Sequence, residues 1–357
     1  MNQHYSVIII GAGAAGLMCA AQAGARGRDV LVIDHANKMA KKVLMSGGGR
    51  CNFTNMYTEP ENFLSENEHF CKSALSRYTQ WDFIALVEKH GIDYYEKSLG
   101  QLFCKHSSKD IRDLLLKECQ ENNVDIQLKC SVETIKVKED GQFTLATSHG
   151  EITCDSLVIA TGGLSIPTLG ASGFGYQIAE QFGHKVLPTR AGLTPLTFDK
   201  KLLESFKSLA GNSIFVSVSC RGQSFKEAML FTHKGLSGPA MLQISNYWLA
   251  GDPLEINLMP NTDIAEWLEK NRSERPDIQV KTLLASEFSQ SVAAYFSELL
   301  DLPVKLKQLD HPQQQKLIEF LQAWTIYPSG LEGYRVAEVT LGGVDTDEVS
   351  SKTFESN

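Results

Sequence analysis

Three things are missing or scarce in this chain, and each narrows its function. No apolar run is long enough to span a membrane. The first apolar run, Val7 to Ile10, is too short for a secretory leader and its N-terminal flank too uncharged. The eight cysteines form no C-x-x-C pair and share no metal-type spacing with histidine. Reduced thiols in a cytoplasmic enzyme with no metal are therefore expected. Positive charge is also scarce: 34 Lys and Arg stand against 42 Asp and Glu, a net charge of −8. That balance disfavours global nucleic-acid binding and leaves room for a local basic patch. No low-complexity tract or internal repeat interrupts the sequence.

At 43% hydrophobic and 21% charged, the 357 residues describe a globular protein of two or three domains. The strongest local signal is YSVIIIGAGAAGLMCA, Tyr5 to Ala20. A continuous apolar run suits a strand buried on both faces of a parallel sheet. Gly11, Gly13 and Gly16 follow as G-x-G-x-x-G. In that order they suit a tight turn, close backbone approach to a pyrophosphate, and close helix–strand packing. The helix N-terminus would present free N–H groups to phosphate. A second strand, Val30 to Ile33, ends in Asp34, 18 residues after Gly16. That is near the spacing of about 20 at which an acid meets a ribose 2′-OH. Strand, turn, helix, strand and acid in register point to a dinucleotide site; the plainer alternative is a glycine turn with no ligand.

Residues 38–55, KMAKKVLMSGGGRCNFTN, hold three consecutive glycines among Lys41, Lys42, Ser46, Arg50, Asn52 and Thr54. Such a loop can lie along a polyphosphate or a ring system; otherwise it is a linker. Residues 66–95 read as helical, with one helix starting near Gln80 and ending at Gly91. Gln101 to Cys104 reads as a short strand, and Ser107 or Ser108 as the cap of a helix over Lys109 to Asn122. Val124 to Cys130 and Glu133 to Val137 read as strands. Gln142 to Thr147 and Glu151 to Thr153 return antiparallel around Gly141. A separate apolar strand, Ser156 to Gly163, ends in Ala-Thr-Gly-Gly. Gly170 to Gly175 then leads into a helix, Tyr176 to Phe182. It reads either as a second, NAD(P)H-type fingerprint or as a turn and helix N-terminus packing near the first nucleotide.

After Pro188 the stretches Leu196 to Phe198, Ser213 to Cys220, Ser224 to Leu230 and Leu254 to Leu258 read as strands. Phe231 to Pro239 is a turn-rich loop carrying His233 and Lys234. Residues 262–325 read as mainly helical, and Val336 to Val344 as a strand returning to the first domain.

The Gly11 fingerprint, KKVLMSGGGRCNFTN (Lys41 to Asn55), VIATGGLS (Val158 to Ser165), PTRAGLTP (Pro188 to Pro195), FTHKGLSGPA (Phe231 to Ala240) and AEVTLGGVD (Ala337 to Asp345) together resemble one family. It is the bacterial flavoprotein family labelled NAD(P)/FAD-dependent oxidoreductase, which includes a bile-acid enone reductase and aminoacetone-oxidase-like proteins. The resemblance covers nearly the whole chain. His69 to Phe83 and Leu99 to Cys104 resemble the subgroup whose FAD-dependent enzyme makes dihydrouridine in 23S rRNA.

The resemblance implies an α/β fold: a Rossmann-like FAD-binding domain of the two-dinucleotide-binding-domain flavoprotein type, with an inserted β-rich domain and a helical subdomain. Residues 1–188 plus 336–357 would form the first, 189–260 the second and 261–335 the third. FAD would meet Gly11, Gly13, Ala14, Ala15 and Gly16 at the pyrophosphate and Asp34 at the ribose. Lys42, Ser46, Gly48, Arg50, Cys51 and Asn52 would lie along phosphates and flavin. Val132 would meet adenine through its backbone, and Thr161 and Gly162 would line the site. Family members continue past the position of Asn357 with a further flavin-contacting segment. A chain ending there is expected to hold FAD weakly, and a flavin-to-protein ratio near one would refute that.

The expected chemistry is NAD(P)H-driven reduction of a conjugated C=C. Uridine in rRNA is the first candidate substrate and a steroid-like enone the second. A non-catalytic flavin-binding docking or sensor protein is the reading outside catalysis. Cys104 is the candidate proton donor because a thiol there would sit beside Lys105, His106 and Lys109. Cys51 is the second candidate. Either thiol could instead be a packing residue. Lys38, Lys41, Lys42, Arg50, Lys105, His106, Lys109, Arg112, His233 and Lys234 are the cations available for RNA phosphates. Tyr94, Tyr95, Phe103 and Phe231 are the aromatics available as a base platform.

Overall fold

The computed structural model describes residues 3–302 and 305–356; Asn357, on which the chain-end expectation falls, lies outside them. The chain divides into two compact units, Met1–Thr189 with Gly342–Asn357, and Arg190–Leu341.

In the first unit, β1 (Gln3–Ile10), α1 (Ala14–Ala25) and β2 (Val30–Asp34) form a parallel pair with its crossover helix. Then come α2 (Lys41–Met45), β3 (Asn52–Asn55), α3 (Lys72–Arg77), α4 (Gln80–Lys89), β4 (Tyr94–Glu96), β5 (Gln101–Cys104) and α5 (Lys109–Glu121). The unit continues with β6 (Asp125–Leu128), β7 (Val132–Val137), β8 (Phe143–Thr147), β9 (Gly150–Ile159) and α6 (Phe174–Gln181). The main sheet has the order β6-β2-β1-β9-β8-β7. Its β6, β2, β1 and β9 strands are parallel, and β7 and β8 add antiparallel at one edge. This is the Rossmann-like α/β arrangement that the first fifty residues imply. Its parallel centre reads as continuous apolar sequence because both faces are covered: Ile8 and Ile9 point to opposite sides and are both fully buried.

Two local readings are corrected. Residues 66–95 are not continuously helical: α3 and α4 are separate, and α4 ends, as expected, just before Gly91, whose φ of +67° closes the C-terminus. Tyr94, Tyr95 and Glu96 then enter a strand, pairing antiparallel with β5. Glu151–Thr153 and Ser156–Ile159 are also not separate strands. They are one strand, β9, whose residues 150–154 pair with β8 while residues 152–159 run parallel to β1.

Side-chain capping fixes the start of α4. Thr79 and Asp82 form a reciprocal capping box at α4, with Asp82 Oδ2 accepting the Thr79 N–H at 2.7 Å. At α5 the Ser107 hydroxyl accepts the Lys109 N–H, while the Ser108 hydroxyl donates instead to the Leu44 carbonyl.

The second unit holds a sheet with the order β16-β15-β12-β13-β14-β11-β17. Its strands are β11 (Leu196–Thr197), β12 (Ser213–Cys220), β13 (Gln223–Thr232), β14 (Gly235–Ser237), β15 (Leu254–Asn257), β16 (Trp324–Ile326) and β17 (Gly330–Leu331); β10 (Val186–Gly192) and β18 (Val339–Val344) carry the chain out and back. Helices α7 (Lys200–Phe206), α8 (Pro239–Ile244), α9 (Ile264–Glu274), α10 (Val280–Leu284), α11 (Gln290–Leu300) and α12 (His311–Ala323) complete it. Strands and helices share one core, in which Phe206 packs edge-on against Phe198, Phe231 and Trp324. Among the described residues no helix is long and apolar enough to cross a membrane, and no group of three His, Cys, Asp or Glu could hold a metal ion.

Buried thiols in the first unit make stability sensitive to alkali. Burial pushes Cys119 and Cys154 up to about 11 from an ordinary 9.0. Below pH 9 both folded and unfolded thiols keep their protons. Above it the unfolded chain ionises first, so stability falls as pH rises towards 11, by about 1.4 kcal/mol per pH unit for each thiol. Thermal midpoints measured between about pH 8 and pH 10 should drop, and Cys119→Ala with Cys154→Ala should flatten that slope.

Candidate cofactor and active site

The first unit contains a cavity of about 740 Å³ at the carboxyl ends of β1, β2 and β9. This is where open parallel sheets bind ligands. The three glycines divide the work differently from one another. Gly11 has φ +115°, and a Cβ there would lie 2.4 Å from the Ala160 carbonyl oxygen. A Cβ on Gly16 would lie 1.9 Å from the carbonyl oxygen of Gly11. Both are fixed by close packing of the chain on itself. Gly13 is different: its Cβ would meet nothing within 4 Å, so its surface faces open space. No side chain caps the first turn of α1, which leaves N–H donors there for a ligand.

Asp34 ends β2 at the cavity. Its Oδ2 accepts the Ala12 N–H and its Oδ1 the Ala36 N–H, both at 2.8 Å. The carboxylate is thereby held against the glycine turn. Lys42 reaches across to donate to the Ser165 hydroxyl at 2.9 Å, and burial lowers its pKa. Gly11, Gly13, Ala14, Ala15, Asp34, Lys42, Val132, Thr161 and Gly162 all line the cavity. Gly16 does not, because it packs against the turn.

The sequence reading missed His35, Ala36, Cys130 and Ser131 as lining residues. Leu169 to Ser172 and Phe174 also line this same cavity. The glycine-rich composition of that stretch was the available signal.

Ser46, Gly48, Arg50, Cys51 and Asn52 lie outside the cavity lining. The loop they form is tied instead to β5 and α5. Cys104 donates its N–H to the Arg50 carbonyl at 2.9 Å, and Ser108 to the Gly49 carbonyl at 2.8 Å. Ser46 donates its hydroxyl to the Val43 carbonyl, and the Arg50 guanidinium reaches the Lys105 carbonyl at 3.4 Å. Gly48 is open on its Cβ side.

Both candidate thiols are buried in one apolar cluster with Val87, Ile111 and Leu114. Burial raises Cys51, and burial followed by the neighbouring Cys51 pushes Cys104 up to about 12. Strand alternation explains where they point. In the three-stranded sheet β3-β5-β4, Phe103 lies opposite both Asn52 and Tyr95, while Cys104 lies opposite Tyr94. Asn52, Phe103 and Tyr95 share one face, and Cys104 turns to the other, towards the core.

The expected cations are dispersed. Lys105 and His106 approach Asp93 at 4.0 and 3.6 Å. Lys109 is exposed at the start of α5. His233 and Lys234 belong to the other unit, where Lys234 pairs with Glu332 at 3.1 Å. Of the expected aromatics, Phe231 is fully buried there, and Tyr94 packs on Phe53 and donates to Glu88.

The family profile described as HI0933-like protein Rossmann domain matches residues 5–357. The chain is 53% identical over 356 residues to the ribosomal RNA dihydrouridine synthase of Escherichia coli K12, covering 99% of this chain and 89% of that protein. It is 45% identical over 362 residues to the ribosomal RNA dihydrouridine synthase of Haemophilus influenzae, covering 100% and 90%. It is 24% identical over 365 residues to the 3-dehydro-bile acid delta(4,6)-reductase of Clostridium scindens, covering 98% and 88%.

Proposed function

We propose that this chain, which belongs to the HI0933-like family of Rossmann-domain proteins, is a cytoplasmic FAD-dependent oxidoreductase that reduces a uridine of 23S rRNA to dihydrouridine with electrons from NAD(P)H. The observation that carries the reading is the 53% identity to a ribosomal RNA dihydrouridine synthase across 99% of the chain. The cavity fits the cofactor on its own terms. Its lining brings together the open backbone at Gly13, uncapped helix N–H groups, a carboxylate at the end of β2 and the cations Lys38, Lys41 and Lys42. Those are the groups that a pyrophosphate and a ribose require.

When bound, FAD would supply two-electron chemistry: hydride accepted from NAD(P)H and hydride given to C6 of uracil. The protein's share is to bind, orient and move a proton. Gly13, Ala14 and Ala15 would hold the pyrophosphate, Asp34 the ribose, and the backbone at Val132 the adenine. Lys42, held by Ser165, would neutralise phosphate charge. The Ser46–Asn52 loop would border the reacting ring. Cys104 is the proposed proton donor to C5. Its thiol keeps its proton at neutral pH, and its burial requires the loop held by the Arg50 and Gly49 carbonyls to open before substrate can reach it.

The test is mass spectrometry of dihydrouridine in 23S rRNA from cells with and without the gene. Loss of one dihydrouridine on deletion, regained on complementation, is the expected outcome. Unchanged rRNA would remove the RNA reading. Turnover of a steroid-like enone would then put the small-molecule reductase first, the reading favoured by the bile-acid reductase relative. Bound flavin that NAD(P)H does not reduce would instead mark a docking or sensor protein.

A further inference from the structure

The face of the β3-β5-β4 sheet turned away from Cys104 carries an aromatic arrangement that the cofactor cavity does not use. Tyr95 and Phe103 sit side by side across β4 and β5, with ring centroids 6.1 Å apart and planes 29° from parallel. Lys97 places its ammonium 5.3 Å from the Phe103 ring centroid. On its other flank Phe103 meets the glycine loop so closely that a Cβ on Gly47 would lie 2.8 Å from the ring. Phe103 is therefore covered, at 6% exposure, while Tyr95 is at the surface with 36%.

The outcome is a layered stack, glycine loop, then Phe103, then an exposed Tyr95. One side of the Tyr95 ring meets Phe103, and part of it stays in solvent. Tyr57, 67% exposed, covers Gly100 just before β5. Lys97 and Arg50 are exposed, and neither pairs with a carboxylate among the described residues, unlike Lys105 and His106, which face Asp93. An exposed ring backed by Phe103, with the unpaired Lys97 beside it, suits a base and its phosphate. It suits an unpaired strand in particular, because a duplex hides the faces of its bases.

We infer that Tyr95, backed by Phe103, is a stacking platform for an unpaired nucleotide of the RNA substrate, with Lys97 and Arg50 at its phosphates. The inference rests on the rRNA reading above and adds where single-stranded RNA is held. A protein partner is the competing occupant. It would be anchored by the same ring but would not compete with RNA.

The test uses the flavin-loaded protein and a fluorescently labelled single-stranded, uridine-containing RNA oligonucleotide, with a duplex of the same composition as comparator. Tyr95→Ala should weaken single-strand binding by about tenfold or more, and Tyr95→Phe, which keeps the ring, should bind like the parent. Lys97→Gln should reduce the salt dependence of binding by about 0.7 in the log–log slope, the value for one lost phosphate contact on a single strand. In cells lacking the native gene, Tyr95→Ala should lower 23S dihydrouridine and Tyr95→Phe restore it. Equal thermal midpoints for the two variants exclude misfolding as the cause. If Tyr95→Ala binds RNA and modifies rRNA like the parent, the platform is wrong while the rRNA reading stands. If the parent itself forms no dihydrouridine, both fall together.

Discussion

Gly13→Val is expected to purify folded but without flavin. The residue at Gly13 has φ −84° and ψ −174°, an extended conformation open to any side chain. A Cβ there touches no atom of the chain. Replacing glycine at such a site costs the fold nothing and reduces the freedom of the unfolded chain, a gain of about 0.4–1 kcal/mol. The same side chain projects into the cavity where the pyrophosphate would approach backbone. Flavin affinity should fall by more than about tenfold, equivalent to ~1.4 kcal/mol. Gly16→Ala is the counter-experiment. Its Cβ would fall 1.9 Å from the Gly11 carbonyl oxygen, so the turn must shift, at a cost of about 1–3 kcal/mol in stability. The two variants should therefore separate, one losing cofactor at full stability and the other losing stability first. Thermal midpoints and the flavin-to-protein ratio of each preparation check this. A Gly13→Val protein that keeps flavin at the parent ratio would show that this cavity is not the cofactor site.

Legibility from sequence followed the range of the interactions involved. The run from β1 through Asp34 was readable because every constraint in it is local: an apolar strand, a glycine turn, a helix and an acid within thirty-odd residues. The cavity wall built by that run was readable for the same reason. β9 was not, because its two halves answer to different neighbours. Residues 150–154 pair with β8 and residues 152–159 with β1, and the polar Asp155 and Ser156 break the apolar pattern midway, so one strand reads as two. Tyr94–Glu96 is too short to declare a period, and only pairing with β5 makes it a strand. The Ser46–Asn52 loop shows the limit most clearly. Its composition announces a glycine loop, but its position is set by the amides of Cys104 and Ser108, more than fifty residues away. The orientation of Cys104 is equally non-local: the register of β5 against β3 and β4 decides which face each of its side chains takes.

Cys104→Ala is expected to lower substrate turnover by about 10²–10⁴-fold, the range for loss of a general acid, while leaving reduction of the flavin by NAD(P)H unchanged. The thiol is fully buried, and burial with Cys51 beside it pushes it up to about 12, so it holds its proton throughout the physiological range. So weak an acid is still a competent donor to carbon, because the C5–H bond it forms is a far weaker acid than any thiol. Access is the harder requirement. Cys104 shares its apolar cluster with Cys51, and the loop above is pinned by the Arg50 and Gly49 carbonyls. A packing role predicts a different pattern. Cys104→Ser would then place an unpaired hydroxyl in the core and lower stability by about 1–3 kcal/mol, with turnover per folded molecule intact. A donor role predicts that Ala and Ser both lose turnover, since a serine hydroxyl releases its proton far less readily than a thiol. Stopped-flow measurement of each half-reaction separates the two, because only proton delivery to the substrate should slow. Loss of turnover with Cys51→Ala but not with Cys104→Ala would move the proton to the neighbouring thiol, which is buried in the same cluster. Turnover retained by both variants would confine the pair to packing and assign the proton to a group other than these two thiols.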